Sequence, residues 1–252
     1  MRTAGLFAAL AFALPGGAQL AGTSMRGGIP GGQGPIRDRI IAAGDRFWVP
    51  GKERVTIAGV FVDETGTHPA RIVIQLPRLC RLDVSDGASQ KVMAFDGSRT
   101  WTLGGQADAG VEAVLESLAD DSIEAFVSGA LRGANIWLAG SGYRLHDSES
   151  AFPQPRRVDV LGVLRPAGPV AGRPIRRKMY CFDSESRLLN RVMYRDSSGR
   201  LTATVYEAWD LVDGEPLPTV WTRRQEGKVV FSFRRAAASF SAGLADATFG
   251  QP

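Results

Sequence analysis

From Arg176 to Phe233 the chain reads RRKMYCFDSESRLLNRVMYRDSSGRLTATVYEAWDLVDGEPLPTVWTRRQEGKVVFSF. Runs rich in β-branched and aromatic residues (Arg176 to Phe182, Leu188 to Arg195, Leu201 to Leu211, Leu217 to Arg224, Lys228 to Phe233) predict successive strands. Between them stand Asp183-Ser184-Glu185-Ser186, Asp196-Ser197-Ser198-Gly199, Asp213-Gly214 and Glu226-Gly227. These residue types favour tight turns. Gaps so short cannot hold a crossover helix, so neighbouring strands must run antiparallel, and a Rossmann-type parallel sheet is excluded here.

Upstream, Val158 to Leu164 and Ile136 to Leu138 add further strands, preceded by a helical stretch between Gly110 and Gly133. There Val111, Val114, Leu115 and Leu118 share one face, and Asp120, Asp121 and Ser122 are expected to cap a second helix, Ile123 to Leu131. Earlier still the period is two. Val55, Ile57, Gly59 and Phe61 fall on one side of a strand. A turn around Glu64-Thr65-Gly66 leads to Arg71–Leu76, where Ile72, Ile74 and Leu76 share a face. Pro77 interrupts that run, and Cys80, Leu82 and Val84 resume it. Lys91 to Leu103 reads as a hairpin folded at Asp96-Gly97, a pair suited to the positive φ angles of a tight turn, with Trp101 just beyond. Ile36 to Trp48 carries Ile36, Ile40, Ile41 and Phe47 near helical spacing, which predicts a short covering helix. The expected class is therefore α+β and mainly β, an antiparallel sheet with covering helices.

Residues 1–21 have the order of a signal peptide: Met1-Arg2 as a basic start, an apolar run from Gly5 to Leu14, Pro15, then small residues. Cleavage is expected before Gln19 or after Ala21. No cysteine follows the run, so no diacylglyceryl anchor is expected, and the mature chain should be free in the periplasm. Residues 22–35 are so rich in glycine and proline that they read as a flexible arm, and 36–252 as one domain. A net charge of +4, with 44% hydrophobic and 22% charged residues, is ordinary for a globular protein. The arginine pairs Arg156-Arg157, Arg176-Arg177, Arg223-Arg224 and Arg234-Arg235 are scattered, which suits solvated strand faces or an attraction for anionic lipid or acidic partners and gives no nucleic-acid module.

Catalytic or metal-binding sets are hard to assemble. His68 and His146 sit in polar, turn-like surroundings without a second ligand at strand or helix spacing. There is no Gly-x-Ser-x-Gly elbow, and the Asp120-Asp121 pair reads as capping. The expectation is a protein that is not an enzyme and needs no cofactor or metal. Cys80 and Cys181 permit one disulfide in an oxidising compartment, or remain two buried thiols acting as small apolar residues.

The order of these segments resembles the periplasmic outer-membrane lipoprotein carrier and sorting proteins of the LolA/LolB type. The residues that carry the resemblance are Pro77-Arg78-Leu79-Cys80-Arg81, the Phe95-Asp96-Gly97-Ser98-Arg99-Thr100-Trp101 hairpin, and a late meander. That meander contains Phe182-Asp183-Ser184-Glu185-Ser186-Arg187-Leu188-Leu189, Tyr194-Arg195-Asp196-Ser197-Ser198-Gly199-Arg200-Leu201 and Asp213-Gly214-Glu215-Pro216-Leu217-Pro218. The resemblance implies an unclosed β-barrel, a strongly curved antiparallel sheet whose concave apolar face accepts acyl chains beneath helices. It implies as partners the acyl chains of a lipid or lipoprotein and transport proteins of the inner or outer membrane. By strand parity the apolar face gathers Ile72, Ile74, Leu76, Trp101, Val192, Tyr194, Val205, Trp209, Phe231 and Phe233, as cavity wall or as plain core. A carrier that shields acyl chains is the first reading. A module that senses lipid or lipoprotein and acts through a protein partner is the second, and a purely structural envelope protein with a filled core is the third.

Overall fold

The computed structural model describes residues 51–75, 79–87, 89–96, 100–104, 121–123, 126, 135–145, 156–164, 177–195, 198–243 and 249. The expected signal peptide, the arm, the helix at 36–48, His146 and Leu76 lie outside them. Among the described residues twelve strands make one antiparallel sheet in the order β5-β4-β3-β2-β1-β12-β11-β10-β9-β8-β7-β6. Five form a first meander: β1 (Arg54–Asp63), β2 (Gly66–Gln75), β3 (Leu79–Asp86), β4 (Ser89–Asp96) and β5 (Thr100–Leu103). Seven form a second: β6 (Asn135–Leu145), β7 (Arg156–Leu164), β8 (Arg177–Asp183), β9 (Leu189–Arg195), β10 (Leu201–Val212), β11 (Glu215–Gln225) and β12 (Lys228–Ser241). The pairing of β1 with β12, from Arg54 opposite Ser241 to Val62 opposite Ser232, joins the two meanders. Among the described residues β5 and β6 are unjoined edges, so the sheet is not closed.

Turn chemistry explains the hairpins. Asp213 and Gly214 have φ of 49° and 81°, and Glu226 and Gly227 have 48° and 82°. Two successive positive φ values define the turn whose twist matches that of paired strands. The predicted hairpin after Lys91 is present as β4 and β5, with Phe95 opposite Thr100; its turn lies outside the described residues.

Several strands run longer than their apolar alternation. β12 was expected to end at Phe233 but continues to Ser241. A register shift opposite Ala58 and Gly59 breaks its period, and pairing with β1 carries it on through Arg234-Arg235-Ala236-Ala237. Further shifts interrupt β6 on β7, β8 on β9, β10 on β11, and β11 on β12. Such bulges bend the backbone, and open sheets of more than about ten strands curl.

One face, called inner here, carries the main core. It includes Ile57 and Phe61 of β1, Ile72 of β2, Leu82 of β3, Tyr180 and Phe182 of β8, and Phe231 and Phe233 of β12. Phe126 caps this core, its ring 4.9 Å from Tyr180 and 6.0 Å from Phe182. Its amide donates to the Ser122 carbonyl at 3.0 Å, a helical turn; the rest of the two expected helices at 110–133 lies outside the described residues. The outer face carries smaller clusters: Val158, Val160, Cys181 and Met193 on the second meander, and Val92, Ala94 and Trp101 on the first.

Candidate functional site

The inner face holds an apolar recess. Its walls include Ile57 of β1, Ile74 of β2, Trp209 of β10, and Leu217 and Trp221 of β11, with Ile123 as part of its cover. Tyr206 also lines it, with its ring centroid 5.8 Å from that of Trp209. Residues three apart on a regular strand face opposite ways. Here the register shift between Tyr206 and Ala208 brings both rings inward. The free space a water centre can occupy is about 30 Å³, room for about two waters and too little for a chain of methylenes.

One step along the same strands the face turns polar. Asp121, fully buried, directs one carboxylate oxygen to Lys178 Nζ of β8. Its other oxygen accepts from Thr204 Oγ1 of β10 at 2.7 Å and from Arg223 Nη1 of β11 at 3.0 Å. The Asp121 backbone carbonyl accepts from the Tyr206 hydroxyl at 2.9 Å. Arg223 also donates to the Tyr194 hydroxyl, and Lys178 Nζ lies 4.4 Å from the Tyr194 ring centroid. Lys178 and Arg223 are 2% and 4% exposed. The register explains the assembly: Thr204 pairs with Arg223 as Tyr206 pairs with Trp221, so polar row and pocket row stand side by side.

No family model matches the sequence, and no curated protein matches it either. Among solved structures, a LolA superfamily protein from Nitrosomonas europaea superposes with a TM-score of 0.56 at 12% identity, over 85% of this chain and 97% of that one. This chain has the LolA-type fold. A DUF1329 family protein from Desulfovibrio piger gives 0.46 at 12% identity, over 86% of this chain and 97% of that one. An outer membrane lipoprotein-sorting protein domain from Vibrio parahaemolyticus gives 0.47 at 16%, over 83% and 95%.

On this LolA-type sheet the ten residues assigned by parity divide. Ile72, Ile74, Val192, Phe231 and Phe233 belong to the inner core, and Trp209 packs against it. Tyr194 also faces inward, at the polar row. Of the seven, only Ile74 and Trp209 line the recess; Phe231 and Phe233 lie beneath the surface, at 0% and 1% exposed.

Trp101 and Val205 must be corrected to the outer face. Trp101 is opposite Ala94, packs with it and Val92, and donates its indole N–H to the Phe249 carbonyl at 2.5 Å. Val205 lies between Thr204 and Tyr206, both of which point inward to Asp121. Each error has one cause: a connection or bulge of unpredicted length resets the phase, and one residue of slip exchanges the faces.

Of the two readings left open for the cysteines, the structure has the two free, buried thiols: Cys80 lies in the inner core and Cys181 in an outer cluster, so the sheet itself separates them. Burial pushes the Cys181 thiol up to about 12, with the charge of nearby Arg191 acting the other way. His68 lies at the β1–β2 turn, its Nε2 3.1 Å from Thr65 Oγ1. The reading of the arginine pairs as solvated fails for Arg223, which is buried against Asp121.

Lys178, Thr204 and Arg223 were missed as site residues. A signal existed: Lys178 is in phase with Tyr180 and Phe182, and Arg223 with Trp221, so a cation stands where the alternation calls for an apolar residue. Asp121 gave no such signal, because its place before a helical run is what a capping residue also shows.

Proposed function

We propose that this chain is an exported, periplasmic carrier that shelters the acyl chain of a lipid or lipoprotein on the inner face of its sheet. The observation that carries this reading is the apolar recess between β1, β2, β10 and β11, with Trp209 half-buried in its wall. Burial of a chain there is worth roughly 0.8 kcal/mol per methylene, so binding needs no reactive group. Because the free space is small, the chain enters by displacing the cover that residues 121–123 and Phe126 belong to. Residues 1–21 direct the export, 22–35 form an arm, and 36–252 form the binding domain.

The test is a titration of a fluorescent long-chain fatty acid into the mature chain and two variants. Trp209→Glu puts an unpaired charge in the wall and should abolish saturable uptake. Arg195→Glu, on the exposed end of β9, should leave it nearly intact. Circular dichroism shows whether each variant is folded. No saturable binding by the parent, or equal binding by folded Trp209→Glu, rules the carrier reading out.

A further inference from the structure

The polar row ends the apolar recess, and its geometry is that of a carboxylate-binding site. Lys178, Thr204 and Arg223, from β8, β10 and β11, converge on the two oxygens of one buried carboxylate, and that carboxylate belongs to the cover rather than to the sheet. Ser122 and Ile123, the residues next to Asp121, line the recess, as does Tyr206, whose hydroxyl holds the Asp121 carbonyl. Thr204 and Tyr206, like Arg223 and Trp221, are two residues apart on one strand face, about 7 Å. A molecule with a carboxylate at one end and a hydrocarbon tail would therefore place its head at the row while its tail runs into the recess.

We propose that Asp121 occupies, in this state, a site for the anionic head of an acyl ligand, and that a fatty-acid-like carboxylate replaces it as the cover moves. One carboxylate exchanges for another, so the row keeps its charge balance and its hydrogen bonds. A neutral head in the same place would leave Lys178 and Arg223 buried beside a group that answers neither charge, which is costly. The site thus selects anionic over neutral ligands of equal chain length. This inference rests on the acyl-carrier reading and adds the head-group chemistry to it.

The experiment measures the affinity of the mature chain, by calorimetry, for dodecanoate, dodecan-1-ol, acetate and inorganic phosphate. Dodecanoate should bind roughly tenfold or more tightly than dodecanol, the difference expected of hydrogen bonds to charged groups. Lys178→Met, which leaves Asp121 its Thr204 and Arg223 partners, should lose that preference while still binding dodecanol. Asp121→Asn, checked for folding by its melting curve, should widen the preference for dodecanoate over dodecanol, because the residue at 121 no longer brings a charge of its own to the row. Equal affinity of the parent for dodecanoate and dodecanol overturns the anion site and leaves the carrier reading standing. Binding of acetate or phosphate without either chain-bearing ligand overturns the carrier reading and makes the row a site for free anions. Binding of none of the four overturns both.

Discussion

Trp221 and Arg223 are two residues apart on β11 and point to the same face, yet their burial rests on different physics. Trp221 stacks on Phe233 with ring centroids 4.5 Å apart, and any apolar group of similar shape would serve nearly as well. Arg223 is a buried charge, and its burial depends on groups that answer it, Asp121 and Tyr194 among them. At the apolar end many side chains share the work and none is indispensable. At the polar end one carboxylate answers two cations, so loss of one residue removes an ion pair from each of them.

That contrast can be broken most directly at Asp121. Asp121→Ala should cost about 3–5 kcal/mol, because Lys178 and Arg223 stay buried without their shared partner. The triple change Asp121→Leu, Lys178→Met and Arg223→Met should recover most of that loss, as buried ionic groups replaced together by apolar ones often do. Urea melts of both proteins decide it. A triple variant as unstable as the single one would show that the pairing is not what Asp121 contributes.

Gly227→Val is expected to act on both ends alike, since β11 and β12 carry Trp221, Arg223, Phe231 and Phe233 from one hairpin. With φ at 82° a β-branched residue is strained there, at a cost of roughly 1–3 kcal/mol. A thermal midpoint equal to the parent's would contradict the assigned turn.

A smaller effect is expected for Trp209→Ala, whose side chain is only half-buried: about 1 kcal/mol of stability. Acyl affinity should fall by more than stability does, which would mark Trp209 as wall rather than core.

The smallest effect concerns Cys181, whose buried thiol is held protonated. In folded protein at pH 8 it should not react with a thiol reagent that labels the urea-unfolded chain promptly. Its folded value of about 12 lies above the ordinary 9.0. The neutral thiol therefore favours the fold below pH 9, and that contribution is lost as pH rises from 9 toward 12. Rapid labelling of native Cys181 would show that the outer cluster is open.

The sequence by itself determined the antiparallel sheet. The turns at 183–186, 213–214 and 226–227 are too short for anything but hairpins, and their residue types set the backbone angles seen. Period two also put Ile72 with Ile74 and Phe231 with Phe233 on a shared face, because alternate residues of a regular strand point to the same side. Which face Trp101 and Val205 occupy was decided by register, which depends for Trp101 on the length of the β4–β5 connection and for β10 on a bulge, neither of which leaves a local mark in the chain. The joining of the meanders through β1 and β12 was likewise decided by pairing across about 180 residues of sequence, which no local periodicity encodes. The meeting of Asp121 with Lys178, Thr204 and Arg223 belongs to the same class. Each is separately an ordinary polar residue, and only the packing of the cover on three strands makes them one site.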